Sequence, residues 1–485
     1  MERTPASPES IERLINNSKR SIRDYEQLLC KVEKAKIVLG NFPDDNKSDL
    51  DILHLTLEIL SGGVAGLHEC TIALCRLLQT DSLYEKRYQM QNINLDQFEW
   101  CKYLLGRDNN GVFAQYCKLF SKCNDIATVA YLNDIRNKIR RLGAKCNSNL
   151  RNITAHYDKP SKIYDELIQL NDEDEYVYRL GDQMEIWNKM MAFINSFLDM
   201  LNNHIPFDKH YESPESISDL NIQSLVNEKI SEEFAQRKEL QIAINAQLET
   251  AWKKIESINQ DHYKYEKVID LFRQRKINFR PLQNILSLLE FGWAVSFMRS
   301  DLACAINSYL NSSTIIDGSV CLRRIYMIET AALTHLYGYN DEHRKKSIWH
   351  KIKVLAEFAS VSESQQIEQQ LAEFTDTLDC DRRNMYTHYQ ENGFSNISKR
   401  WKDFQEMNHA KELYRLLKLL NLCNDIYSYI SSLLSAMNKT QEKKSAETKE
   451  RYINMVSKIK SIGIKTNNQE IIDTSEKLLN IINKF

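Results

Sequence analysis

The chain has 485 residues, of which 42% are hydrophobic and 27% charged, with only 13 Gly and 7 Pro. That length is more than one ordinary domain, and so little turn punctuation excludes a turn-rich β architecture. A formal net charge of −2 excludes a uniformly basic surface, so any nucleic-acid binding must rest on a local patch.

The first residues, MERTPASPESIERLINNSKR, lack the apolar stretch of a signal peptide. Eleven Cys lie between Cys30 and Cys423 without a C-x-x-C pair, an odd number that predicts reduced thiols and a cytoplasmic setting. Apolar residues then recur every three or four positions almost throughout, as in Trp187, Met190, Met191, Ile194, Phe197, Leu198 and Leu201. This is helical periodicity, and the predicted class is all-α.

Four regions are expected from the clusters of Gly, Pro, Asn and Asp: 1–210, 211–280, 281–438 and 439–485. In the first, Ser61-Gly62-Gly63-Val64-Ala65-Gly66 resembles a phosphate loop only superficially, because no Lys-Ser or Lys-Thr follows and the setting is apolar. Close helix packing is the better explanation. This region ends with Arg151-Asn152-Ile153-Thr154-Ala155-His156, then Tyr157, and an apolar helix to about Leu201.

Residues 215–280 contain neither Gly nor Pro, and Ile244, Leu248, Ala251, Ile255, Ile258, His262, Tyr265, Ile269 and Phe272 keep alternating 4-3 spacing. One long helix with an apolar seam is predicted, and the seam suits a second copy of the chain as well as the flanking bundles. His262 on that seam is expected in the core. The third region repeats the ending of the first, with Arg383-Asn384-Met385-Tyr386-Thr387-His388, Tyr389 and an apolar helix to about Leu434. Within that helix Leu416 to Met437 is interrupted by Lys418, Asn421, Asn424 and Asp425, so no membrane span is expected. A weaker echo pairs Ser82, Arg87 and Met90 with Ser319, Arg324 and Met327. Together these read as a diverged tandem duplication. The last region, 439–485, opens with a charged run and continues as a helical appendage.

One R-N-x-x-x-H hexapeptide is a weak signal, but two at corresponding places are not. On a helix Asn152 and His156, like Asn384 and His388, lie at i and i+4, where the amide can orient the imidazole. Asp381 and the polar run Asn147 to Asn149 suggest that each motif opens a helix. Cleavage of RNA by its own 2′-hydroxyl needs a base, an acid and a cation, which two His and two Arg supply without a metal or cofactor. Basic clusters beside the motifs, including Arg140, Arg141 and Lys145 before the first and Lys345 and Lys346 before the second, are candidate RNA contacts. Tyr157 and Tyr389 are candidate base-stacking residues, although a Tyr abutting an apolar helix more often belongs to the core.

The paired hexapeptides resemble those of the HEPN superfamily (higher eukaryotes and prokaryotes nucleotide-binding). The resemblance is firm over the hexapeptides and fair over the helix after each. It implies two HEPN-like helical bundles in tandem forming an intramolecular pseudo-dimer, with one metal-independent endoribonuclease site. Arg151, His156, Arg383 and His388 would be catalytic there, with Asn152 and Asn384 in support. It further implies single-stranded RNA as substrate, a toxin or antiviral role, and an antitoxin or other regulatory protein as partner. Homo-oligomerisation through the long helix is a further expectation. The alternative is a non-catalytic HEPN-like bundle that binds RNA or protein, in which the same residues only cap helices.

Overall fold

The computed structural model describes residues 8–40, 47–106, 110–121, 126–146, 159–204, 222–274, 280–338, 341–353, 361–391, 394–465 and 469–484. Helices follow one another as α1 (Pro8–Gly40), α2 (Lys47–Gln79), α3 (Leu83–Leu105), α4 (Val112–Phe120), α5 (Ile126–Lys145), α6 (Pro160–Gln169) and α7 (Glu173–His204). The long α8 (Ile222–Gln274) leads to α9 (Arg280–Leu310), α10 (Ile315–Leu322), α11 (Arg324–Leu336), α12 (Asp341–Lys346), α13 (Ile348–Lys353), α14 (Val361–Asp376) and α15 (Cys380–Thr387). A two-residue antiparallel ladder, β1 (Gln390–Glu391) with β2 (Phe394–Ser395), precedes α16 (Ile397–Glu406), α17 (His409–Lys465) and α18 (Gln469–Lys484). The expectation of an all-helical protein holds.

The glycine run lies inside α2, away from any helix start. A Cβ on Gly62 would stand 2.1 Å from the Tyr103 ring, on Gly63 2.1 Å from Trp187 and on Gly66 2.1 Å from Trp100. The glycines therefore let α3 and α7 lay aromatic rings directly on the α2 backbone, which accounts for a run that costs helix propensity. Residues 51–79 are long and apolar enough to cross a membrane, but 83% of the qualifying window is buried inside the protein. The segment is a core helix.

Several features recur at a constant interval along the chain. Ser82 caps α3 by accepting from the Glu85 N–H, and Thr314 caps α10 by accepting from the Asp317 N–H. Thr314 lies 232 positions after Ser82, the interval that also separates Arg383 from Arg151. The structural counterpart of Ser82 is thus Thr314 and not Ser319, because it is Thr314 whose hydroxyl caps the helix that follows. The same interval relates the pair Gln97–Gln183 (3.2 Å), which joins α3 to α7, to the pair Glu329–Arg415 (2.9 Å), which joins α11 to α17.

Contacts between the halves are reciprocal. Arg76 at the end of α2 donates twice to Asp317 at the start of α10 (2.6 and 2.8 Å), and Asn307 near the end of α9 donates to Glu85 at the start of α3 (2.9 and 3.0 Å). Between them Arg76 Nε meets the Ser308 carbonyl and Gln89 meets the Ser308 hydroxyl. The outer helices repeat the exchange. Thr314 Oγ1 donates to Glu26 of α1, while Ser82 Oγ donates to the Leu248 carbonyl of α8. Lys36 of α1 reaches Ser398 of α16, and Trp252 of α8 stacks on Tyr164 of α6 at 5.3 Å and 7°. One contiguous apolar core runs through both halves.

Two expected boundaries move. The seam of α8 folds back antiparallel on α9, with Gln241 bonded to Asn311, Gln247 to the Arg299 carbonyl and His262 to Glu290. Ile244, Leu248, Ala251, Ile255 and Ile269 are buried there, and His262 is in the core against Trp293, as expected. Residues 211–280 are therefore no simple connector: from about Leu240 onward α8 lies against α9 as α1 lies against α2. The boundary expected at 438 falls inside α17, which continues to Lys465 because no Gly or Pro interrupts it before Gly463. Its extension pairs with α18 through Lys460–Glu476 (2.7 Å).

Candidate functional site

The second motif is carried by α15. Its cap is Asp379, whose side chain accepts from the Arg382 N–H at 2.8 Å, two residues before the Asp381 anticipated. The helix lasts eight residues, and His388 is already its C-cap in extended backbone (φ −121°, ψ 129°). This breaks the expected i, i+4 alignment. Asn384 meets His388 only through its backbone carbonyl, which accepts the His388 N–H at 3.1 Å, while its side-chain oxygen accepts from Arg383 Nη1 at 2.8 Å. The imidazole turns instead to the first half, with Nδ1 3.2 Å from Glu99 Oε2 of α3. Glu99 is 3% exposed, and the His388 side chain is 23% exposed. Nε2 of His388 has no hydrogen-bond partner among the described residues.

Directly after the motif, Tyr389 corrects an expectation. It is 2% exposed, its hydroxyl donates to Glu69 Oε2 at 2.9 Å, one face lies under the Arg400 guanidinium at 4.4 Å, and Tyr103 meets it edge-on at 6.1 Å. A base has no face on which to stack. Tyr389 is a core residue, because the ladder after α15 turns the chain inward: Asn396 clasps the carbonyls of His388 and Tyr389 through its amide and backbone N–H.

Beneath this turn lies a buried charge network shared by the halves. Glu69 of α2 accepts from Arg400 of α16 and pairs with Arg323 (2.7 Å), while Asp96 of α3 pairs with Arg323 (3.3 Å) and Arg324 (2.9 Å). Burial alone would raise the Glu69 carboxyl, yet Arg323 and Arg400 outweigh it and hold it below the usual range. Burial dominates at Asp96, which is raised despite Arg324 and Arg323. Removing one partner from such a set leaves an uncompensated charge, so the network fixes how the start of α11 and α16 dock on α2 and α3. A second brace holds α15 from outside: Arg382 forks onto Asp403 (2.9 and 3.0 Å) and reaches the Tyr326 hydroxyl (2.6 Å), and Tyr386 donates to the same Asp403.

Of the other anticipated residues, Arg151, Asn152, His156 and Tyr157 lie outside the described residues. Arg140, Arg141 and Lys145 are exposed on α5, where Lys145 pairs with Asp182 (2.7 Å) beside Lys138–Glu185 and Lys189–Asp134. This row of α5–α7 ion pairs neutralises part of the cluster. Lys345 is exposed on α12, and the side chain of Lys346 lies outside the described residues. Among the described residues no three His, Cys, Asp or Glu groups converge to hold a metal.

Sequence reasoning missed Glu99, Glu69, Asp96, Arg323 and Arg400. A signal was present in α3, where Glu85, Arg87, Gln89, Asn92, Asn94, Asp96, Gln97 and Glu99 are all buried. A helix that is polar on every face yet flanked by core helices has to meet polar partners on more than one side.

No protein-family model, curated protein or solved structure matches this chain.

Proposed function

We propose that the chain is a metal-independent endoribonuclease in which Arg151 and His156 act with Arg383 and His388 in one composite site of an HEPN-like intramolecular pseudo-dimer, with Asn152 and Asn384 in support. The observation that carries this reading is the contact of His388 with Glu99. It sets His388 of the second motif against α3, a helix of the first half, which supports a site shared by the two halves. The chemistry is that of a base, an acid and cations around a phosphodiester, and the products are a 2′,3′-cyclic phosphate and a 5′-hydroxyl.

A second reading, a non-catalytic RNA- or protein-binding bundle, draws on the Arg383–Asn384 bond, which turns part of the motif's polarity on itself. Incubation of single-stranded RNA with the protein in EDTA separates the two. The ribonuclease reading expects cleavage that chelation leaves intact, with His156→Ala and His388→Ala each nearly abolishing it. Two half-active mutants would mean independent sites. Tight binding without product from any RNA would favour the second reading.

A further inference from the structure

The two histidines of the proposed site need not be equivalent, and the surroundings of His388 assign it a particular task. A carboxylate oxygen only accepts, so Glu99 Oε2 at 3.2 Å places the proton of a neutral His388 on Nδ1. Nε2 is then the bare nitrogen, and it belongs to an imidazole 23% exposed. The other charged groups nearby are already engaged. Lys102 of α3 stands 3.6 Å from the same Glu99 oxygen, Arg383 rests on Asn384, and from α2 Glu69 serves Tyr389 and Arg400 while Glu58 holds Lys36 and Tyr103.

The repeat shows what the other half has at that place. The residue 232 positions after Glu99 is Ala331, and the register is fixed two residues earlier by the matching pairs Gln97–Gln183 and Glu329–Arg415. Ala331 is buried and offers a methyl group where α3 offers a carboxylate. The duplication kept the helix and dropped the acceptor.

Resting on the ribonuclease reading, we infer that Glu99 is a positioning residue that presents the bare Nε2 of His388 as the base. The 2′-hydroxyl proton passes to His388 Nε2 as the 2′-oxygen bonds to phosphorus. The bond from phosphorus to the 5′-oxygen breaks, and that oxygen leaves with a proton from the general acid that the ribonuclease reading requires. Buttressing by a carboxylate through the far nitrogen is the general way in which a protein sets an imidazole tautomer.

The test uses the full chain with ring-15N histidine, the His388 signals being identified by their loss in His388→Ala. In the wild type above neutral pH the shifts should report Nδ1–H and a bare Nε2, and in Glu99→Gln they should move toward Nε2–H. Glu99→Gln should lower kcat by roughly 10²- to 10⁴-fold with KM within about twofold, and Glu99→Asp should recover part of the loss. A tautomer unmoved by Glu99→Gln, or one that moves while kcat stays at the wild-type value, overturns the inference and leaves the ribonuclease reading standing. A wild type inert on every RNA overturns that reading and the base role with it, whatever the tautomer shows.

Discussion

The second helix of each half fills the same place with opposite allocations of volume. In α2, Gly62, Gly63 and Gly66 meet Tyr103, Trp187 and Trp100. The residues 232 positions later are Ala294, Val295 and Met298 on α9, and His335, Leu419 and Ala332 where the three aromatics would be. Ala294, Val295, Met298, Leu419 and Ala332 are all buried. At these positions one half carries large rings and glycines, and the other carries none of either. Cores accept such exchanges when total volume is kept, so an interval and its partnerships can persist where residue identity does not.

Converting one site to the other's chemistry tests this most strongly. Trp100→Ala alone should cost about 3–5 kcal/mol through the cavity it opens. Gly66→Met alone should cost about 1–3 kcal/mol or more, since a Cβ there already stands 2.1 Å from the indole. The double variant gives these positions the residues found at 298 and 332 and should recover part of the loss, with a coupling of about 0.5–3 kcal/mol in urea denaturation. Strict additivity would mean that these positions do not share a volume.

The same divergence explains what the sequence made legible. Helical class, the repeated motif, the packing role of the glycines and the core place of His262 follow from local spacing, which survives sequence drift. The Ser82 register did not, because its structural match is Thr314 and a chance serine sat five residues further on. Nor did the partner of His388: Glu99 lies 289 positions away on a helix without an amphipathic stripe, and no local pattern points to it. Tyr389 beside a polar motif looked available for stacking, and only the ladder that turns it onto Glu69 makes it core.

At the seam the comparison concerns charge. The first half reaches across with the cation Arg76, and the second answers with the neutral amide of Asn307. Arg76→Met should therefore cost about 3–5 kcal/mol, because Asp317 is fully buried and is left with an unpaired charge. Adding Asp317→Asn should return most of that. Asn307→Ala should cost only about 1–3 kcal/mol, the penalty of an unsatisfied buried acceptor, since burial already raises the Glu85 carboxyl toward its neutral form. Equal losses from Arg76→Met and Asn307→Ala would erase the contrast.

The smallest effect is a pH dependence confined to one half. Glu329 takes the place of Gln97, and its fully buried carboxyl is raised by burial, against the pull of Arg415, from 4.5 to about 7. The folded state therefore holds that proton more tightly than the unfolded chain. The stability it contributes is fully present below about pH 4.5 and is lost as pH rises through about 7. The shift corresponds at most to roughly 3 kcal/mol. Glu329→Gln restores the chemistry of the first half, so the wild type should lose stability relative to this variant between pH 4.5 and 7, read from urea midpoints at matched pH. Gln97→Ala has no carboxyl to remove and should shift stability by a similar amount at every pH. Parallel wild-type and Glu329→Gln curves would show that Arg415 keeps the carboxylate ionised, and that the second half carries its extra charge without a titration cost.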